Sequence, residues 1–182
     1  MPALYENAGR AVAIRATMEP MLSGLPIRYT LCFLTRGESV LMLHRSKPPN
    51  LGLWNGVGGR IEPGEGLLEC ALREVREETG YRLAEARPGG LLTWEGFETP
   101  PGGLAIFWAD APAGEPAFCS EGELAWKPRA WVYESAEVVS NIHVFAPAML
   151  ELGLARHYHF VYRSGDFISY TISPLKPDWL VA

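Results

Sequence analysis

Short apolar runs alternate with polar, Gly- and Pro-rich breaks along the chain, and most of the runs have the length of a strand. Arg28–Leu34 (RYTLCFL) and Val40–His44 read as a hairpin turned at Gly37-Glu38. Leu91–Phe97 and Leu104–Ala109 read as a second pair, with Pro100-Pro101-Gly102-Gly103 as the turn. Trp126–Val132 reads as a further short strand. Tyr158–Arg163 and Phe167–Ile172 flank Ser164-Gly165-Asp166, which is a clear hairpin signal. Along the first of these, Tyr158, Phe160 and Tyr162 alternate with other residues, so they predict one packed face rather than a platform for stacking bases. Helical patterning occurs twice, at about Glu69–Thr79 and at Val144–Leu154, where Phe145, Leu150 and Leu154 are among the apolar positions. Residues 1–26 read as an extension, with a short helix or strand around Arg10–Thr17 and a Gly-Leu-Pro turn at its end. Strands alternating with two helices predict α/β layers. No repeat or low-complexity segment marks a second domain, so residues 1–182 read as one.

The first helical stretch carries the chemistry. Pro63-Gly64 ends the segment before it, and Gly80 suits a C-cap. Between Glu69 and Thr79 there is no Gly or Pro, and good helix formers dominate. At ~100° per residue, Glu74, Glu77 and Glu78 share one edge. Ala71, Leu72 and Val75, with Leu68 if the helix starts that early, form the neighbouring inward stripe. Three glutamates alone usually mean a solvated acidic face. Crowded carboxylates also repel unless a cation joins them, and the cation that suits carboxylate oxygens is a hard divalent one.

The wider spacing decides between these readings. GRIEPGEGLLECALREVREETGY (Gly59–Tyr81) has Gly59, then Glu65, then Arg73-Glu74-Val75, then Glu77-Glu78 and Gly80. At ordinary residue frequencies such a match occurs by chance about once in 10⁹ windows, which outweighs the solvated-face reading. The segment resembles the signature box of the Nudix hydrolases. Only Tyr81 departs, standing where an aliphatic residue is commoner, and it is expected to be harmless.

The resemblance implies an α/β/α sandwich with a mixed sheet and a catalytic loop–helix–loop over residues 59–81. It implies hydrolysis of a nucleoside diphosphate linked to another group, with Mg²⁺ or Mn²⁺ as cofactor. By the same resemblance Glu74 and Glu78 are the direct metal ligands, with Glu77 ligating or binding through water. Glu65 orders the surroundings or a further metal, and the carbonyl of Gly58 or Gly59 completes the site. Arg73 is expected to orient a box glutamate, because a fixed guanidinium fork suits that role. The general base is either a box glutamate or one outside it. Glu121 stands where related enzymes carry the outside one, and Glu123 is its rival.

Upstream, Trp54-Asn55-Gly56-Val57-Gly58-Gly59 is similar to the corresponding segment of the oxidised-purine nucleoside triphosphatases of this family, whose Asn contacts the base. Asn55 is therefore a base-reading candidate, since an amide both donates and accepts, although Asn is also a common turn residue. Trp54 is expected in the core. Phe160–Ile172 resembles the closing hairpin of that subgroup. Its members carry paired aspartates ahead of the second helix, whereas this chain has Val138-Val139-Ser140-Asn141-Ile142-His143. Asn141 stands in for one of them with different hydrogen-bonding chemistry, which points to a broader nucleoside triphosphatase than one strictly selecting 8-oxo-dGTP. Arg45 and Lys47 stand where related enzymes place a basic residue against phosphates; Arg45 is the phosphate-contact candidate, and Lys47 reads equally as an exposed surface residue. His143 reads as a capping or packing residue, and the other histidines lack zinc-site spacing.

Composition narrows the partners. The 182 residues are 48% hydrophobic and 20% charged, as in a globular chain. The net charge of −5 and the lack of a Lys/Arg cluster argue against duplex nucleic acid as a partner, leaving a small nucleotide. No apolar run is long enough to span a membrane. Three unspaced cysteines and no signal-peptide pattern at the N-terminus predict reduced thiols and a cytoplasmic protein, monomeric or homodimeric. Two other functions stay open: an ADP-ribose, nucleotide-sugar or dinucleoside polyphosphate hydrolase, and a non-catalytic nucleotide-binding regulator. The intact glutamate set argues against the second.

Overall fold

The computed structural model describes residues 25–97, 99–164, 166–175 and 179. The helix or strand expected around Arg10–Thr17 lies outside them. The central strand is β1 (Ile27–Arg36), whose residues 30–35 are all buried. An unbroken buried run of this kind marks a strand covered on both faces. Leu31 and Phe33 point into one apolar cluster, and Cys32 and Leu34 into the other. The first cluster is closed by α3 (Ile142–Leu152), through Ile142, Phe145, Ala146 and Met149, and the second by α1 (Leu67–Thr79), through Leu67, Ala71 and Val75. Helices on both faces of one sheet make the expected α/β/α sandwich.

The other strands are β2 (Ser39–Arg45), β3 (Trp54–Asn55), β4 (Arg87–Glu95), β5 (Gly102–Asp110), β6 (Gly122–Pro128), β7 (Arg156–Arg163) and β8 (Asp166–Ser173). Their order is β3-β2-β1-β5-β4-β7-β8, with β6 on the far side of β2. The sheet is mixed: β1/β5 and β4/β7 are parallel, and the remaining pairs are antiparallel.

One irregularity builds the site. β1 and β2 pair only near their turn, at Leu34–Arg36 and Ser39–Leu41. Beyond that they splay, and the chain leaving β3 fills the gap. Val57 exchanges backbone hydrogen bonds with Cys32 (2.7 and 3.1 Å), and Thr30 N donates to Gly59 O (2.9 Å). Gly58 and Gly59 are thereby fixed beside β1, facing α1. A Cβ on Gly58 would stand 2.2 Å from Thr30 O, at a φ of +152°. Only glycine tolerates that approach.

Four expectations need correcting. Gly102 and Gly103 belong to β5, not to a turn. A Cβ on Gly103 would meet Ile27 Cδ1 at 2.6 Å, so glycine here permits close packing. Arg129–Val132 is not strand but part of a short helix, α2 (Arg129–Glu134), which starts just after Pro128. Six residues are too few to display a helical period. Leu68 is exposed, and Leu67 and Cys70 complete the inward face of α1 instead. Leu154 lies past the end of α3, after Gly153 in the left-handed conformation. Tyr158 and Phe160 are fully buried, and all three cysteines are buried free thiols. Among the described residues no helix is long and apolar enough to cross a membrane.

Candidate active site

α1 starts at Leu67 and ends at Gly80, whose φ of 74° and backbone bond to Arg76 O (3.0 Å) close the last turn. Its inward stripe presses the helix onto the sheet. The adjacent carboxylate edge therefore faces Gly58 and Gly59. Glu78 is only 6% exposed, and its Oε2 accepts from Gly58 N at 2.8 Å. Burial pushes the Glu78 carboxyl up to about 8; the Gly58 amide opposes the shift, and the charges of Glu74 and Glu121 add to it. Glu74 is also raised, by burial first, even though Arg73 binds it. Glu77 is more exposed, with half of its side chain accessible.

Arg73 ties the box together. Its Nε and Nη2 donate to the two oxygens of Glu65 (2.7 and 2.9 Å), a bidentate fork. Nη1 donates to Glu74 Oε1 (2.8 Å) and to Glu77 (3.2 Å), and Nη2 also reaches Arg60 O (3.0 Å). Glu65 additionally accepts from the Glu62 amide (3.0 Å). The Arg73 fork holds its carboxyl down at about 2. Thus Glu65 braces the turn ahead of α1 through Arg73, while Glu74 and Glu78 line the gap beside the two glycines.

Opposite α1 stand the ends of β2 and β6. Ser46 N and Oγ both donate to Glu121 O (2.9 and 2.8 Å). Arg45 and Lys47 each lie 3.8 Å from the Glu121 carboxylate, and Arg45 Nε donates to Pro49 O (2.8 Å). The two basic residues therefore flank Glu121. Its charge reaches both Glu74 and Glu78. Glu123 is exposed and pairs across from His44 in the sheet.

Asn55 and Asn141 come from distant segments. Trp54 N donates to Glu137 O (2.8 Å) and Val139 N to Trp54 O (3.0 Å), which binds the stretch ahead of α3 to β3. The Asn55 Oδ1 accepts from Gly56 N (2.9 Å), and Asn141 opposes the burial that raises the Tyr162 hydroxyl. His143 packs, with Nε2 3.1 Å from Ser135 O. Sequence reasoning missed what holds β3: Trp54 stacks on His44 (4.7 Å between centroids), and Lys127 Nζ lies 4.1 Å from the Trp54 ring centre and 4.7 Å from that of Trp131. Trp54 is expected in the core from the sequence, but no local pattern signals the Lys127 cation against it.

The donor set fits a hard divalent cation. Buried Glu78 and partly buried Glu74, both raised by burial first, stand beside Gly58 and Gly59, and Arg73 is already shared among three acids. The carboxylates are not yet gathered around one point: among the described residues no three acidic, His or Cys side chains form a ready cage. Glu74 turns to Arg73 and Glu78 to the Gly58 amide.

A model of the NUDIX domain matches residues 25–150. The chain belongs to the Nudix family. This Nudix chain is 33% identical over 98 residues, 53% of its length, to the oxidized purine nucleoside triphosphate hydrolase of Danio rerio. It is 38% identical over 79 residues, 42% of its length, to an m7GpppN-mRNA hydrolase of Xenopus laevis. It spans only 63% and 27% of the length of these two relatives. Among solved structures, the MutT protein of Bacillus halodurans superposes with a TM-score of 0.70 at 27% identity, covering 82% of this chain and all of that one. Enzymes of this family generally use divalent metals and act on small nucleotides.

The approach of Gly59 to Glu74 supplies a prediction. A Cβ at Gly59 would stand 2.3 Å from Glu74 Oε1. Gly59→Ala is expected to displace that carboxylate and lower kcat roughly tenfold while Tm changes little, since a flexible side-chain end can move. Steady-state kinetics beside a melting curve checks this, and unchanged kcat would remove Glu74 from the site.

Proposed function

We propose that this Nudix hydrolase is a divalent-metal-dependent nucleoside triphosphate diphosphatase. It would cleave a nucleoside triphosphate, the oxidised purine form among them, to the monophosphate and pyrophosphate. The observation that carries the reading is buried Glu78 and partly buried Glu74 against Gly58–Gly59, with Glu121, just ahead of β6, facing them and Arg45 and Lys47 beside it. Mg²⁺ or Mn²⁺, held by Glu74 and Glu78 with Glu77 and the Gly58 carbonyl, would supply positive charge to neutralise adjacent phosphates during in-line attack. Glu65 acts through Arg73, keeping the box turn in place. Glu121 accepts the proton of the attacking water as its oxygen bonds to phosphorus and the bridging P–O bond breaks. Arg45 and Lys47 meet the phosphates, and the released pyrophosphate carries away the bridging oxygen. Asn55 and Asn141 sit on the β3 side, where the base would lie.

The test is product analysis with Mg²⁺ or Mn²⁺ over a panel of dGTP, 8-oxo-dGTP, the other nucleoside triphosphates, ADP-ribose, a dinucleoside polyphosphate and a capped RNA. Monophosphate plus pyrophosphate is the expected outcome, with kcat/KM for the oxidised and ordinary purines within about tenfold because Asn141 replaces a carboxylate. Preference for ADP-ribose, the dinucleoside or the cap would overturn the triphosphatase reading and leave the metal site intact. No turnover of any of them would favour a binding module.

A further inference from the structure

Tyr81 occupies the one box position that departs from the family pattern, and its two ends do different things. The ring is buried in the cluster under α1, as an aliphatic side chain would be. The hydroxyl reaches further: it donates to Gly114 O at 2.7 Å and accepts from Arg36 Nη2 at 3.1 Å. Gly114 lies in the segment from Ala111 to Glu121 that connects β5 to β6. That segment is tied at Ala111, whose N–H donates to Thr35 O (2.8 Å), and at Ala117, whose N–H donates to Thr79 O (2.8 Å). Between these ties, among the described residues, only Arg36 and Tyr81 hold it. Arg36 donates to Pro112 O (3.1 Å) and to Gly114 O, and pairs with Glu115 (3.4 Å). The same guanidinium lies 4.3 Å from the ring centre of Trp126, on the strand that leaves Glu121. Arg36 therefore grips the chain on both sides of Glu121, and Tyr81 joins the side ahead of it to the end of the helix bearing Glu74 and Glu78.

We propose that the Tyr81 hydroxyl is a positioning group: with Arg36 it latches the 111–121 segment to the end of α1 and so sets where Glu121 stands relative to Glu74 and Glu78. The inference rests on the reading of Glu121 as a participant in hydrolysis. Carboxylates on two separately folded segments must keep a fixed separation to act on one phosphorus and its water, and a misplacement of about 1 Å costs up to ~100-fold in rate. A tyrosine can fasten the loop where Leu, Ile or Val cannot, because none of them carries a donor.

Tyr81→Phe keeps the buried ring and removes the latch. With the fastest-hydrolysed nucleotide of the panel and Mg²⁺, kcat is expected to fall roughly tenfold, KM to change less than about twofold, and amides of residues 113–120 to exchange roughly tenfold faster. In a Glu121→Gln background the same change should lower kcat no further, as for two groups acting in one unit. Arg36→Lys, which keeps the charge and loses the fork, is expected to behave like Tyr81→Phe and serves as the second variant. Wild-type kcat in both variants, or a loss that multiplies with that of Glu121→Gln, overturns the latch. Full activity of Glu121→Gln alone overturns the role of Glu121 instead, and is seen without touching Tyr81.

Discussion

Glu78→Gln is expected to lower kcat by on the order of 10³-fold, about 4 kcal/mol of transition-state stabilisation, with the fold intact. Glu78 is nearly inaccessible and bonds the Gly58 amide, so its environment is set by the sheet and not by solvent. A glutamine keeps the side-chain volume and the acceptor facing Gly58. It lacks the charge that would draw a divalent cation into the gap. Circular dichroism beside steady-state kinetics separates loss of metal from loss of fold, and a variant retaining full activity would remove Glu78 from the proposed ligand set.

The second large effect is on stability, and its sign follows from the same burial. The folded Glu78 carboxyl titrates at about 8, well above its ordinary value of 4.5. A carboxyl raised on folding contributes stability that is complete below its unfolded pKa and lost as pH rises through the folded one. In chelator, the Glu78 contribution is therefore expected to fall by on the order of 3–5 kcal/mol between about pH 4.5 and 8, read as the difference between the parent and Glu78→Gln, because burial of His157, held down at about 4, adds stability as pH rises through the lower part of that window in both proteins. Glu65 works in the opposite sense but is held at about 2, so its contribution stays constant across that window. Mg²⁺ should restore what is lost, because the bound cation favours the ionised form. Glu78→Gln supplies the control. At pH 8.5 in chelator it should melt several degrees above the parent, and added Mg²⁺ should raise the parent alone. A Tm difference between the parent and Glu78→Gln that stays flat from pH 5 to 8.5 without metal would contradict the raised carboxyl.

These two expectations draw on different amounts of the sequence. That Glu74, Glu77 and Glu78 share an edge of one helix follows from 3.6 residues per turn and was legible at once. So was the helix end at Gly80, where an αL residue was needed, and the hairpin of β7 and β8. Leu68 and Leu154 show the limit of that reading. An apolar residue at the margin of a helix faces inward or outward according to what packs there, and Leu67 and Cys70, not Leu68, meet the sheet. Trp126–Val132 shows another. Apolar content over seven residues fits strand or helix, and Pro128 together with packing of Val132 turns the second half into a helix.

The sequence by itself determined the family box, its carboxylate edge, and the alternation of strands with two helical stretches and hence the layered α/β fold. Each of these is encoded by local spacing, because helix and strand periods act over a few residues. Tertiary structure alone decided which distant groups meet. Glu78 faces Gly58 because the chain after β3 fills the gap between β1 and β2. Glu121 faces Arg45 and Lys47 because β6 pairs β2 in one register. Tyr81 holds Gly114 because the 111–121 segment folds back over the end of α1. No local pattern encodes such contacts: they follow from strand order and from how each loop satisfies its backbone hydrogen bonds, which are settled only when the whole sheet is assembled.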